Sequence, residues 1–216
     1  MNEIMIGSLI GISQTIFGHP LDTIKVRIQN KQNWKNMKFT NYYKGSIYPL
    51  YGNLLYNMIV FPIHDNTIYQ TNSHFFSGLL AGVIVSPLIF ITDIGKIKRQ
   101  TNTPLKIKDF IFTKGKIINL TRESSANMLY FGSYFYLKNK IKLPILVSGS
   151  LAGLFHWTVT YPIDSIRTRQ MVQNISFREA IKQGNLWKGY TPCAMRAIIV
   201  NGISFSVYEF CYKFLK

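Results

Sequence analysis

The chain has 216 residues, of which 47% are hydrophobic and 16% charged, and its formal net charge is +16. A soluble nucleic-acid-binding domain with this charge would spread its Lys and Arg residues over the folded surface. Here four long segments, 4–21, 45–64, 66–92 and 143–163, contain no charged residue. Because a helix needs about 20 apolar residues to cross a hydrocarbon layer of roughly 30 Å, the composition predicts an integral membrane protein and argues against a nucleic-acid partner.

The hydrophobic pattern predicts an all-α membrane protein with six transmembrane helices in three repeated antiparallel pairs. In chain order the predicted helices cover 4–29, 46–69, 74–100, 116–138, 143–171 and 190–213. The first and second, third and fourth, and fifth and sixth helices are joined by polar links.

The sequence repeats with a period of 71 residues. Asp22, Asp93 and Asp164 are each 71 residues apart, and each opens the pattern Asp-x-x-(Lys/Arg)-x-(Lys/Arg). Two glycines four residues apart precede each pattern at the same period: Gly7 and Gly11, Gly78 and Gly82, Gly149 and Gly153. A fixed period of this kind indicates a repeated structural unit, here with copies at about 1–71, 72–142 and 143–216. The paired glycines predict close helix packing in each copy.

The basic residues are distributed unevenly along the repeats. Of the 25 Lys and Arg residues, six lie in 25–45, seven in 96–116 and five in 167–189, which are the three links and the helix ends beside them. Since basic loops favour one side of a membrane, we expect the links to share one face and both termini to lie on the other. Five more lysines lie at the opposite helix ends, which leaves Arg122 and Arg196 at membrane depth.

Each odd-numbered helix ends with an acid and, three residues later, a base. One interpretation is three local ion pairs within helices, which contribute a few tenths of a kcal/mol each. Pro20 and Pro162 predict kinks that bring the helix ends together, which favours pairs between helices instead. These pairs are Asp22 with Lys96, Asp93 with Arg167 and Asp164 with Lys25. At an effective dielectric of about 20, each contact supplies roughly 4 kcal/mol of Coulomb energy before desolvation is subtracted.

The complete motif resembles that of the mitochondrial carrier family, Pro-x-(Asp/Glu)-x-x-(Lys/Arg)-x-(Lys/Arg), a link, and then aromatic-(Lys/Arg)-Gly. Repeat one has Pro20 and Tyr43-Lys44-Gly45, and repeat three has Pro162 and Trp187-Lys188-Gly189. Repeat two keeps Asp93, Lys96 and Lys114-Gly115 but has Ile91 and Thr113 at the proline and aromatic positions. The chain is identified as a short member of this family, with short links between the two helices of each repeat.

The resemblance implies one carrier domain over 1–216, a pseudo-threefold barrel of six helices around a cavity, and alternating access in the inner mitochondrial membrane. Its matrix gate would be formed by the ion pairs of Asp22, Lys25, Asp93, Lys96, Asp164 and Arg167. A second, cytoplasmic gate would involve Asp65, Lys138 and Glu209, of which only Asp65 and Lys138 can form an ionic link. With three pairs against one, we expect the resting state to be open toward the cytosol, with both termini toward the intermembrane space.

The predicted substrate site lies two helical turns beyond each Lys-Gly pair. Gly52, Arg122 and Arg196 occupy equivalent positions there, followed by Asn53 and Glu123. Five residues further along, each repeat has an asparagine: Asn57, Asn127 and Asn201. For the asparagines, hydrogen bonding between helices and lining of the cavity are equally compatible with the pattern. For the two arginines, substrate contact is preferred over a structural buried pair, because only one acid, Glu123, is nearby.

The substrate class is left open between two alternatives. Arg122-Glu123 resembles carriers of amino-acid-like, carnitine or S-adenosylmethionine substrates. Counting all bases and acids near the cavity gives +8 against −4, and a positive cavity attracts anions, which favours a nucleotide or deoxynucleotide. We therefore expect an anionic or zwitterionic small molecule, with a lean to the nucleotide.

Other classes of function are less compatible with the pattern. A carrier-like scaffold or receptor that transports nothing has no need of buried arginines. No nucleophile–base pair, metal-ligand spacing or phosphate loop points to an enzyme, so we expect no cofactor and no metal. The remaining expected partners are the bilayer and anionic lipid at the matrix-side helix ends, and the chain is expected to be a monomer.

Overall fold

The structure, a computed structural model, describes residues 2–200 and Ile203, with the side chains of 2–8, 10, 54 and 57 excluded. Within this part the chain is helical and contains no strand. The long helices are α1 (Asn2–Gln29), α3 (Ile47–Thr71), α4 (His74–Gln100), α6 (Lys116–Asn139) and α7 (Ile145–Gln173). Short helices lie in the links: α2 (Phe39–Tyr42), α5 (Asp109–Phe112) and α8 (Phe177–Lys182).

The all-α prediction is confirmed for the described residues, and five predicted helices are present with ends shifted by a few residues. The sixth, predicted over 190–213, is helical over 190–200, and the rest of it, apart from Ile203, lies outside the described residues. Pro20, Pro87 and Pro162 all lie inside continuous helices.

One described helix, α4, is long and apolar enough by length and composition to cross a membrane. By contrast, α6 carries Arg122, Glu123 and Asn127 in its middle turns. Large apolar side chains nevertheless remain exposed along the long helices. Examples are Ile16, Phe17, Met58, Phe61, Phe76, Ile84, Leu151 and Phe155. Soluble monomers rarely expose so much apolar surface, and it is compatible with contact to lipid.

The paired glycines of repeat two permit close helix packing. In repeat two, a Cβ added at Gly78 or Gly82 would lie 2.5 Å from a backbone oxygen of α6, that of Asn127 or Glu123 respectively. The backbones of α4 and α6 can therefore approach only because these residues have no side chain. Within the described residues, a Cβ at Gly11 or Gly149 would meet no atom within 4 Å. Asn201, the repeat-three counterpart of Asn127, lies outside the described residues, so the close-packing role stays a prediction for repeats one and three.

The glycine of each Lys-Gly pair has a backbone reason to recur. Gly45, Gly115 and Gly189 have φ values of +84°, +109° and +90°, a region that side chains with a Cβ rarely adopt. Each of these glycines lies just before the second long helix of its repeat, which begins at Ile47, Lys116 or residue 190. The turn they form sets where that segment begins and hence the depth of the residues that follow.

Candidate substrate cavity and ion-pair network

A polar cavity of about 430 Å³ lies among the long helices. Residues of α1, α3, α4, α6, α7 and the segment 190–200 all contribute to its lining. Its volume lies within the range of small-molecule binding sites.

The three predicted pairs between helices are present at the end of the cavity beside the links, which we call the link-side end. The Nζ atoms of Lys25 and Lys96 lie 2.6 Å and 2.7 Å from Asp164 Oδ2 and Asp22 Oδ2. Arg167 Nη2 lies 2.6 Å from Asp93 Oδ2. Each pair joins two different repeats, so the contacts run from repeat one to two, two to three and three to one. Among the described residues, only Asp164 and Arg167 form the alternative local pair within one helix, with 3.6 Å between Arg167 Nη2 and Asp164 Oδ1.

A second layer of ionic contacts involves the two arginines predicted for the substrate site. Arg122 Nη1 lies 2.5 Å from Glu123 Oε1, and Arg122 Nε lies 3.7 Å from Asp164 Oδ1. Arg196 Nε lies 2.8 Å from Asp22 Oδ1. The expectation that Glu123 is the only acid near both arginines is therefore wrong. Both arginines contact carboxylates of the link-side pairs.

Arg167 is the most heavily supported base of the network. Besides Asp93, its guanidinium contacts Glu123 Oε1 at 3.1 Å and donates to Asn119 Oδ1 at 2.8 Å. Asn119 is fully buried and donates in turn to the Ser86 carbonyl. Asn119 could not be predicted from the motif, because it lies in the first turn of α6 and has no repeated counterpart.

Two buried glutamines that follow the motif were also missed. Gln29 donates to Asp164 Oδ2 at 3.3 Å, and Gln100 donates to Thr23 Oγ1 at 3.1 Å. They are 71 residues apart, so the period that located the aspartates would have located them as well.

The second base of each motif does not face the cavity. Arg27 Nε donates to the Gln100 carbonyl at 2.8 Å, and Arg169 Nε donates to the Gln29 carbonyl at 3.3 Å. Lys98 pairs with Asp109 of α5 at 2.7 Å. The predicted charge of +8 against −4 is therefore wrong for the cavity itself. Among the described residues, five bases and four acids line it: Lys25, Lys96, Arg122, Arg167 and Arg196 with Asp22, Asp93, Glu123 and Asp164.

The other predicted substrate residues divide into two groups. Asn53 and Asn127 line the cavity, and Asn127 Oδ1 accepts a hydrogen bond from the Tyr56 hydroxyl. Gly52 is buried but is not among the lining residues, and a Cβ there would lie 3.4 Å from Thr92 of α4. The side chain of Asn57 and all of Asn201 lie outside the described part of the chain.

Three aromatic residues of the lining lie beside the charged groups. The Trp157 ring centroid is 4.3 Å from Lys25 Nζ and 4.6 Å from Arg122 Cζ. The His156 and Tyr130 rings meet edge to face at 5.6 Å. Among the described residues, no group of three or more His, Cys, Asp or Glu side chains could hold a metal ion.

At the opposite end, which we call the terminus-side end, the predicted Asp65–Lys138 link is not formed between these two described residues. Asp65 is 77% exposed and contacts His64 Nδ1 at 3.2 Å, while Lys138 lies over the rings of Tyr134 and Phe135. The expected link is wrong in this structure because the acid faces outward. Glu209, the third predicted member, lies outside the described residues.

Aromatic stacking occupies this end instead. His64 stacks on Phe131 at 4.2 Å between ring centroids, and His74 stacks on Phe135 at 3.7 Å. The two histidines are also in contact, with 3.4 Å between His74 Nδ1 and His64 Nε2.

These features describe a helical protein that encloses a charged cavity within repeated helix pairs. A family model described as "Mitochondrial carrier protein" matches residues 142–216. The chain is 26% identical to mitochondrial substrate carrier family protein S of Dictyostelium discoideum, covering 100% of this chain and 98% of the relative. It is 26% identical to a mitochondrial arginine transporter of Arabidopsis thaliana (99% and 91%) and 22% identical to the human mitochondrial carnitine/acylcarnitine carrier protein (100% and 94%).

The matched model covers the third repeat, and the relatives align with all three. The chain is similar to these mitochondrial carriers over its full length.

Proposed function

We propose that the chain is a solute carrier of the inner mitochondrial membrane for an amino-acid-like substrate that bears both a carboxylate and a cationic group. It works by alternating access, as a monomer of one domain in which six helices form a pseudo-threefold barrel with both termini toward the intermembrane space. The bilayer is its other partner, with anionic lipid at the link-side helix ends.

The near balance of charge in the cavity carries the choice of substrate. Among the described residues, five bases and four acids line it, so a nucleotide would bring several negative charges that these bases have too little free positive charge to offset. A substrate with its own carboxylate and cation can instead exchange partners with the ion pairs already present. The nucleotide prediction depended on a positive cavity and loses that support.

The relatives favour the same choice. The names of two of them give arginine and carnitine as substrates. Both molecules carry a carboxylate and a cation several bonds away from it, although they differ in nearly every other respect. A cavity that offers both arginines and carboxylates fits this shared chemistry.

Arg122 and Arg196 are assigned to the substrate carboxylate. Both line the cavity. Arg122 Nε is buried without a hydrogen-bond partner among the described residues, since its nearest carboxylate oxygen, Asp164 Oδ1, is 3.7 Å away. A guanidinium can bind a carboxylate through two parallel hydrogen bonds. Because the same arginines contact Asp164 and Asp22, a substrate carboxylate would compete with the link-side pairs and weaken the gate that they form.

Two other classes of function receive less support. The relatives are carriers rather than enzymes. A scaffold that transports nothing would gain nothing from nine charged groups around a cavity, since buried charges are costly and are usually functional.

An assay of solute exchange across the membrane of reconstituted liposomes tests the proposal. We expect the purified chain to exchange internal for external arginine or carnitine, and to leave ATP and dATP untouched. Uptake of nucleotides alone would establish the nucleotide alternative. No uptake of any compound in a panel of amino acids, carnitine, nucleotides and keto acids would favour the scaffold.

Matched substitutions test the assignment of the arginines. We expect Arg122→Ala and Arg196→Ala to insert normally and to lose exchange by about a hundredfold, since each removes a charged hydrogen-bond donor worth roughly 3 kcal/mol. Arg178→Ala on the exposed face of α8 is the control and should exchange normally. Normal exchange by both cavity variants would contradict the site.

The direction of the resting state is tested with a cysteine. Because three pairs close the link-side end, a cysteine replacing Asn53 should react with a membrane-impermeant thiol reagent from the terminus side. Labelling mainly from the link side would contradict this orientation of the resting state.

A further inference from the structure

Trp157 lies beside only one of the three link-side ion pairs. Its ring centroid is 4.3 Å from Lys25 Nζ, and that ammonium group is 2.6 Å from Asp164 Oδ2. Lys25 therefore rests in a site made of a carboxylate and an aromatic face, both of which attract cations. Asp164 and Trp157 both belong to α7, whereas Lys25 belongs to α1.

Separation of α1 from α7 would empty this site. Lys25 would leave with α1, and α7 would keep the Asp164 carboxylate and the indole together, seven residues apart on the same helix face. Asp164 Oδ1 would keep Arg167 and Arg122 at 3.6 Å and 3.7 Å, but Oδ2 would lose its ammonium partner. A buried charge that loses a close partner is costly. The opened gate would thus present a vacant binding place for an ammonium or guanidinium group.

The other two repeats offer no equivalent. One period before Trp157 stands Ser86, and two periods before it stands Thr15. The pairs formed by Lys96 and Arg167 consequently separate without leaving an aromatic face beside the carboxylate. The asymmetry places a cation site at the seam between repeats one and three.

We infer that the substrate's cationic group, the one remote from its carboxylate, replaces Lys25 on Trp157 and Asp164 when the gate opens. The inference rests on the proposed function and adds the position at which the substrate's cationic group is bound. A ligand shifts a conformational equilibrium only by binding one state more tightly than the other. This site is free only in the open state, so a substrate cation stabilises that state, while an uncharged analogue does not.

Arginine and citrulline are the probes, because they differ in the side-chain charge and share the amino-acid head group. In reconstituted liposomes we expect Trp157→Leu to lower arginine exchange by about tenfold and to change any citrulline exchange by less than twofold. Trp157→Phe, which retains an aromatic face, should recover part of the arginine exchange. Trp34→Leu is the matched control, because it removes a cation–π contact with Lys35 in the first link.

Fluorescence supplies a reading that does not depend on transport. The chain has three tryptophans, and a Trp34→Phe/Trp187→Phe variant keeps Trp157 as the only one. Arginine should change its emission in a saturable way, whereas citrulline at the same concentrations should not.

The outcomes separate this inference from the proposed function. If the wild-type chain exchanges neither arginine nor carnitine, the proposed function is wrong and the inference falls with it. Suppose instead that the wild-type chain exchanges arginine. If Trp157→Leu then lowers arginine and citrulline exchange equally, or leaves both unchanged, the proposed function stands and the cation site is wrong.

Discussion

The two ends of the cavity are closed by different chemistry. At the link-side end, three ion pairs join the repeats in a cycle, and two further arginines reinforce their carboxylates. At the terminus-side end, the one acid and base that could pair are apart, and rings of two histidines and two phenylalanines stack instead. Among the described residues, the repeats thus pair their charges at one end and stack aromatic rings at the other.

The difference shows how unequally the two ends resist opening. A buried charge that loses its partner is strongly destabilising, so the link-side pairs can separate only if something replaces the lost contacts. Stacked rings lose far less when they slide apart. We therefore expect substrate to be needed chiefly for opening the link-side end.

The largest expected effect comes from comparing two bases of the link-side pairs. Arg167→Met leaves Asp93 without its base and also removes a base from Glu123, which should lower the free energy of unfolding by about 3–5 kcal/mol. Lys96→Met should cost clearly less, because Asp22 keeps Arg196. Thermal unfolding of both variants in detergent measures the difference, with Lys35→Met in the first link as control. Equal losses would mean that Arg196 does not support Asp22.

An intermediate effect is expected in the aromatic stack. Phe135→Leu preserves apolar bulk but removes the ring contacts with His64 and His74, which should cost about 1–2 kcal/mol. Tyr136→Leu, at a neighbouring exposed position, controls for loss of an aromatic residue. The unfolding midpoints of the two variants measure this difference. Equal midpoints would show that the aromatic stack does not contribute to the free energy of unfolding.

A smaller effect is expected from the charges of the terminus-side end. Asp65→Asn and Lys138→Ala should each change the free energy of unfolding by less than about 0.5 kcal/mol, since exposed ionic contacts contribute little. A double variant should equal the sum of the two. A coupling above 1 kcal/mol would reveal an ionic link in solution and remove the contrast between the ends.

The smallest effect is a pH dependence in the second link. The Lys98 ammonium, helped by the backbone N–H of Lys106, holds the pKa of Asp109 below its ordinary value. The stabilisation is therefore present above the unfolded-state pKa of about 3.9 and is lost as pH falls through the folded-state value. Asp109→Asn should flatten this part of the unfolding profile between about pH 5 and pH 2. A profile identical to that of the wild type would exclude the contribution.

The features repeated in sequence were the ones that could be predicted. The period of 71 identified the helices and brought Asp22, Asp93 and Asp164 to one end of the cavity with bases from neighbouring repeats. Where a residue has no repeated counterpart, as with Asn119 or Trp157, the pattern gave no reason to expect its contacts.

Side-chain direction was the other limit of prediction. The sequence alone does not show that Arg27 and Arg169 turn toward main-chain carbonyls while Lys25 and Arg167 turn inward, and the charge of the cavity was overestimated for that reason. Likewise, Asp65 lies on the expected helix but faces outward. Spacing along a helix gives the depth of a residue more reliably than its partner.

Arg27 and Arg169, which point away from the cavity, have a consequence for the short links. Arg27 ties the end of α1 to the Gln100 carbonyl of α4 and to its own link at Asn33. Arg169 ties the end of α7 to Gln29 of α1 and to the third link at Ala180 and Asn185. Repeats one and two, and repeats three and one, are thus joined where the first and third links begin. The links themselves therefore contribute little to holding these repeats together. A chain nicked within such a link would keep its repeats in order, and evolution could shorten the links without dismantling the ring.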